Sequence, residues 1–130
     1  MKYLILFTIL LNSLFADSYS SGRTDVAPVN NQLYIKECGS CHFPYQPGLL
    51  PANSWKKMMV NLDKHFGVDA TIAPEDFETL SKYLNDNSAE KNMQYKRSNR
   101  IVSSLGKNQI PDSISTTPYM IKKHEDIKKN

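Results

Sequence analysis

The sequence predicts a small, mostly α-helical single domain, on three observations. Wherever hydrophobic periodicity is legible it follows the helical repeat, and no stretch alternates polar and apolar residues as a half-buried strand does. Helix-start signals recur along the chain, as capping Asn, Ser or Thr residues or as a proline suited to a first helical turn. Once an N-terminal leader is set aside, about 112 of the 130 residues remain, enough for one domain with a modest core.

The leader comes first. Lys2 supplies a positive start, residues 3–15 form a nearly unbroken apolar run, and Ala16-Asp17-Ser18 follow. This is the anatomy of a secretory signal peptide over residues 1–18, cut after Ala16 or after Ser18. The run falls short of the about 20 apolar residues of a membrane-spanning helix. An uncleaved N-terminal anchor is the alternative reading. Removal of the signal leaves no integral membrane span, and export to the periplasm is expected.

Residues 17–28 are rich in Ser and end in Pro28, so residues 19–31 read as a flexible lead-in to one domain over residues 32–130. Asn30 or Asn31 can cap a first helix from Gln32. Phe43 to Pro51 holds three prolines and a glycine, which rules out a regular helix there. Ser54 reads as the cap of a helix over residues 55–66, whose Trp55, Met58, Met59, Leu62 and Phe66 share one stripe, with Gly67 as its C-terminal stop. Pro74 fits the first turn of a third helix, with Glu75 and Asp76 beside its positive end and Phe77, Leu80 and Leu84 on one face. Residues 88–116 are polar and give only a short helix near residues 100–105. Thr117-Pro118 starts a final helix carrying His124.

One pentapeptide carries the chemistry: Cys38-Gly39-Ser40-Cys41-His42. Cys-x-x-Cys-His attaches a c-type haem. The two thiols add across the porphyrin vinyl groups, and the adjoining histidine supplies the proximal nitrogen to the iron. A zinc site needs further ligands at close spacing, yet Cys38 and Cys41 are the only cysteines, and His65 and His124 the only other histidines. A redox dithiol belongs between a strand and a helix, and no such pattern is present. The chain therefore reads as holding one covalent haem c on Cys38 and Cys41, with His42 on the iron.

His65 is the first choice for the opposite side of the iron, because helical phase puts it at the edge of the stripe begun by Trp55. His124, set among Lys122, Lys123 and Glu125, and Met93, in an irregular downstream stretch, are the alternatives. Trp55 is expected against the porphyrin. The ring of His42 needs an acceptor for its second nitrogen, and the loop at Pro47 is the candidate to supply a carbonyl.

The stretch from Tyr34 through the haem motif to Pro51 resembles the dihaem cytochrome c family. So do Ser54-Trp55, Leu62-Asp63-Lys64-His65-Phe66-Gly67, Tyr83-Leu84 and the segment from Thr117 to His124. The resemblance spans about residues 32–127. It implies an exported bacterial electron-transfer protein with bis-histidine haem in a mostly helical fold. The family carries a second Cys-x-x-Cys-His beyond the segment matching His124, and these 130 residues hold none. The chain is then either a naturally shortened, single-haem member or a truncated sequence, and one of His65 and His124 lacks its original role.

Electron transfer to a redox partner protein is the leading function. An open-site haem protein that binds or senses a small ligand is the second, and a periplasmic dithiol oxidoreductase the third. With Lys2 set aside, 15 basic residues face 13 acidic ones, a balance that does not suggest nucleic acid. No catalytic acid–base pair, nucleophile triad or phosphate loop is visible, so no enzyme is expected.

Overall fold

The computed structural model describes residues 24–129. The signal peptide expected over residues 1–18 lies outside the described residues. Five helices carry the fold, α1 (Gln32–Gly39), α2 (Ala52–Met59), α3 (Pro74–Asp86), α4 (Lys96–Ser104) and α5 (Pro118–Lys128). Single 3₁₀ turns lie at Pro47–Leu49, Leu62–Lys64, Ala89–Lys91 and Ile114–Thr116. The described residues form no strand, only an isolated bridge between His65 and Val68, and no helix among them is long and apolar enough to cross a membrane.

The local start signals act where the capping group and the capped amide are neighbours. The Asn31 side chain accepts from the Tyr34 amide at 2.9 Å, which settles the choice between Asn30 and Asn31. Pro74 opens α3. The Thr117 hydroxyl accepts from the Met120 amide at 3.4 Å ahead of Pro118.

The second helix differs from expectation at both ends. Pro51, in extended backbone, precedes it, and Ser54 lies inside its first turn, buried. The free amide at Ala52 is satisfied by Glu90 Oε1 at 2.8 Å, so a carboxylate 38 residues away replaces a local cap. At the other end the helix stops at Met59, not residue 66. Asn61 turns its amide back onto the Lys57 carbonyl at 2.7 Å, and the Ala70 amide reaches the Leu62 carbonyl at 2.9 Å. Helical phase thus ends before residue 62, and Phe66 is 68% exposed instead of continuing the stripe. The fourth helix begins at Lys96, four residues before its expected start. Its sequence looks polar because it buries only Ser98 and Ile101, with the Ser98 hydroxyl donating to the Gly48 carbonyl at 2.8 Å.

Two apolar clusters hold these elements. Tyr34, Leu50, Trp55, Met59, Leu80 and Leu84 join α1, α2 and α3, while Leu49, Ala89 and Ile101 tie the 47–49 turn to α4. Ile114 packs against both. Residues of the lead-in also contact the body: the Arg97 amide donates to the Asp25 carbonyl at 2.8 Å, and Val26 packs on the second cluster. Leu80 is fully buried between α2 and α3. Leu80→Ala is expected to destabilise the fold by about 2–5 kcal/mol, read as a lower denaturant midpoint.

Candidate haem site

A cleft of about 720 Å³ opens beside the end of α1. This lies within the ~300–1,000 Å³ of small-molecule and cofactor sites. Its walls are Tyr34, Cys38, Cys41 and His42 from α1 and the turn after it, Trp55, Met58 and Met59 from α2, and Leu62 to Ile72 from the connection to α3. Ile114 and its serine neighbours, with Met120 and His124 of α5, complete it. The lining is mostly apolar. Several rim residues are large, apolar and open to solvent, among them Phe66 and Val68, which are 68% and 62% exposed. A flat apolar macrocycle is the kind of group that covers such walls.

Cys38 sits on the last turn of α1, half-buried against the core, and Cys41 lies just beyond the helix, exposed; both are free. Burial, with a smaller effect of Glu37, pushes the Cys38 thiol up to about 11. An attacking thiol works through a lowered pKa, and burial moves Cys38 the other way.

His42 donates from Nδ1 to the Phe43 carbonyl at 2.7 Å. A carbonyl oxygen only accepts, so Nδ1 carries the proton and Nε2 keeps its lone pair for a metal. The acceptor expected from the Pro47 loop is therefore replaced by the next residue's own backbone. Pro47 is buried outside the cleft, and its carbonyl accepts from Trp55 Nε1 at 2.8 Å and from the Leu50 amide at 3.3 Å. That bond fixes the indole, and Trp55 does line the cleft.

His65 faces His42 for a reason the periodicity did not contain. Phe66 and Gly67 have φ of 50° and 88°, and the Val68 amide donates to the His65 carbonyl at 3.0 Å. Two successive positive φ values make this a type I′ turn, in which Gly67 takes the left-handed conformation to reverse the chain, not to end a helix. The turn holds the His65 and His42 rings 6.1 Å apart, centroid to centroid, and within 18° of parallel. A first-row metal lies about 2.0 Å from an imidazole nitrogen, so two imidazoles on opposite sides of one metal have centroids about 6 Å apart. The observed spacing fits that arrangement. Burial, and to a lesser degree His42, lowers the His65 pKa and favours the neutral ring that ligates metals.

The alternatives are placed differently. Met93 is 41% exposed and away from the cleft; the methionines on its walls are Met58, Met59 and Met120. His124 lines the cleft from α5, but the rings packed beside His42 are those of Tyr45 and His65. Met120 and the Phe43 carbonyl were not singled out from the sequence. A backbone acceptor leaves no side-chain signature, and Met120 reaches the cleft only through the packing of α5.

Among curated proteins none matches the chain. Among solved structures, the dihaem cytochrome c from Rhodobacter sphaeroides is 34% identical with a TM-score of 0.67, covering 75% of each chain. A structure of DHC purified from the same organism is 31% identical with a TM-score of 0.61, over 77% of this chain and 75% of that one. A dihaem cytochrome type c from Shewanella baltica OS155 is 31% identical with a TM-score of 0.57, covering 75% of this chain and 63% of its own. The dihaem cytochrome c family model matches residues 34–130, spanning the cleft-forming helices and the Cys-x-x-Cys-His segment. With this coverage and identity over a shared helical fold, the chain belongs to the dihaem cytochrome c family, whose chemistry is haem-based electron transfer.

Proposed function

We propose that this chain is an exported, periplasmic c-type cytochrome that carries one covalent haem on Cys38 and Cys41 and passes electrons to a redox partner protein through iron ligated by His42 and His65. The observation that carries this reading is the facing pair of imidazoles at 6.1 Å beside the two free thiols. The haem supplies one-electron iron chemistry when bound. The protein's part is to hold and insulate. Phe43 fixes the tautomer of His42, the 65–68 turn presents His65, and Trp55, Met58, Met59 and Leu62 give the cleft an apolar wall that excludes water. Two neutral imidazoles on one iron favour the ferric state more than an imidazole and a thioether do.

The optical spectrum of the exported protein, oxidised and reduced, tests this. A low-spin, six-coordinate spectrum is expected in both states. A high-spin spectrum in the unaltered protein would instead assign it to the open-site class that binds small ligands. Trp55 gives a second reading, since its indole lies on the cleft wall. Its emission is expected to be almost fully quenched in the haem-loaded protein, and solvent-like emission would contradict the packing.

A further inference from the structure

Tyr34 lies one helical turn before Cys38 on α1 and is held in three ways. Its amide is capped by Asn31 at 2.9 Å, its ring packs in the first apolar cluster, and the Tyr83 ring lies 5.4 Å away, centroid to centroid. The side chain is buried, and burial raises its pKa, so the hydroxyl keeps its proton. That hydroxyl donates to the Tyr45 carbonyl at 2.7 Å. The loop it reaches has little else to hold it. Among the described residues no backbone-to-backbone hydrogen bond involves residues 42–45, and the Phe43 and Tyr45 side chains are exposed. Yet this loop supplies two of the groups around the His42 ring. The Phe43 carbonyl accepts from Nδ1 at 2.7 Å, and the Tyr45 ring lies 5.7 Å from the imidazole, centroid to centroid. Between them stands Pro44, which fixes its own φ and confines Phe43 to extended backbone. A displacement of the Tyr45 carbonyl is therefore passed to the Phe43 carbonyl through a stiff linker.

We infer that Tyr34 is a positioning residue for the proximal ligand: by tethering the 43–45 loop, its buried hydroxyl keeps the Phe43 carbonyl on Nδ1 of His42. The inference rests on the haem reading above, in which His42 ligates the iron. A short bond from Nδ1 to a carbonyl makes an imidazole a stronger donor through Nε2, which favours the ferric state. Loss of the tether loosens that bond and tilts the balance toward ferrous iron.

Tyr34→Phe removes the hydroxyl and keeps the ring, while Tyr83→Phe removes a hydroxyl from the same cluster outside the cleft walls. Both are made in the exported, haem-loaded protein. In Tyr34→Phe the NMR signal of the His42 Nδ1 proton is expected to exchange with water several-fold faster. At a fixed ambient potential the ferrous-to-ferric ratio is expected to rise several-fold. Tyr83→Phe should change neither, even where it lowers the denaturant midpoint as any loss of core structure would. An unchanged value of either in Tyr34→Phe, or equal changes in Tyr83→Phe, overturns the inference. One reading needs no variant: in the unaltered protein the Tyr34 hydroxyl proton should give a slowly exchanging NMR signal, and its rapid loss to water would also overturn the tether. Failure of the haem reading shows in the intact mass and the spin state, whereas failure of the tether shows in the Nδ1 and hydroxyl protons.

Discussion

His65→Ala is expected to convert a low-spin haem spectrum into a high-spin one and to open the iron to carbon monoxide, which the unaltered protein should not bind. The expected change is essentially complete, because the proposed sixth ligand is removed, and of the two rings packed beside His42, Tyr45 and His65, only His65 is an imidazole. The centroid of the His65 ring lies 6.1 Å from that of His42 on a turn closed by its own backbone, and burial lowers its pKa, which favours the neutral ring. The substitution empties the position without disturbing the core, since neither histidine belongs to the buried clusters. Met93→Ala should leave the spectrum as it was, because Met93 is exposed and away from the cleft. His124→Ala should do the same. A high-spin spectrum from the His124 variant and a low-spin one from the His65 variant would transfer the role to α5.

Replacing both Cys38 and Cys41 by alanine should take the protein from one covalent haem per chain to none. The check is the intact mass after export from a host that matures c-type cytochromes, with a haem stain on a denaturing gel. The unaltered chain should weigh one haem more than its polypeptide, and the double variant should match its polypeptide. An unmodified mass for the unaltered chain would sink the assignment. The same variant should recover Trp55 emission. It should also unfold more readily, because the large apolar cleft and the exposed Phe66 and Val68 then remain uncovered.

Features written in the sequence were those whose causes lie within a few residues. The haem motif is five consecutive positions. Asn31 caps an amide three residues on, Thr117 another three residues on, and Pro74 needs only its own fixed φ. The helical class followed from period and local start signals, and the burial of Trp55, Met59, Leu80 and Leu84 from period.

What failed to show was decided across long separations. Ser54 looked like a cap because the group that serves Ala52, Glu90, is remote in sequence and was invisible to local reasoning. Only residues 100–105 of α4 read as helix, because beside Ile101 it buries a serine whose partner, the Gly48 carbonyl, is 50 residues away and which carries no hydrophobic signal. His65 was singled out on helical phase, yet the helix ends six residues earlier and a type I′ turn presents the ring. The sequence by itself determined the covalent attachment motif, the helical class and the two histidines available to an iron. Tertiary structure alone decided that the His65 and His42 rings pack 6.1 Å apart, centroid to centroid, and that the Phe43 carbonyl orients His42. The physical reason is that a motif is satisfied by neighbours along the chain. The facing of two rings depends on how a turn, a helix end and a distant carboxylate pack together, and that arrangement is a property of the whole fold.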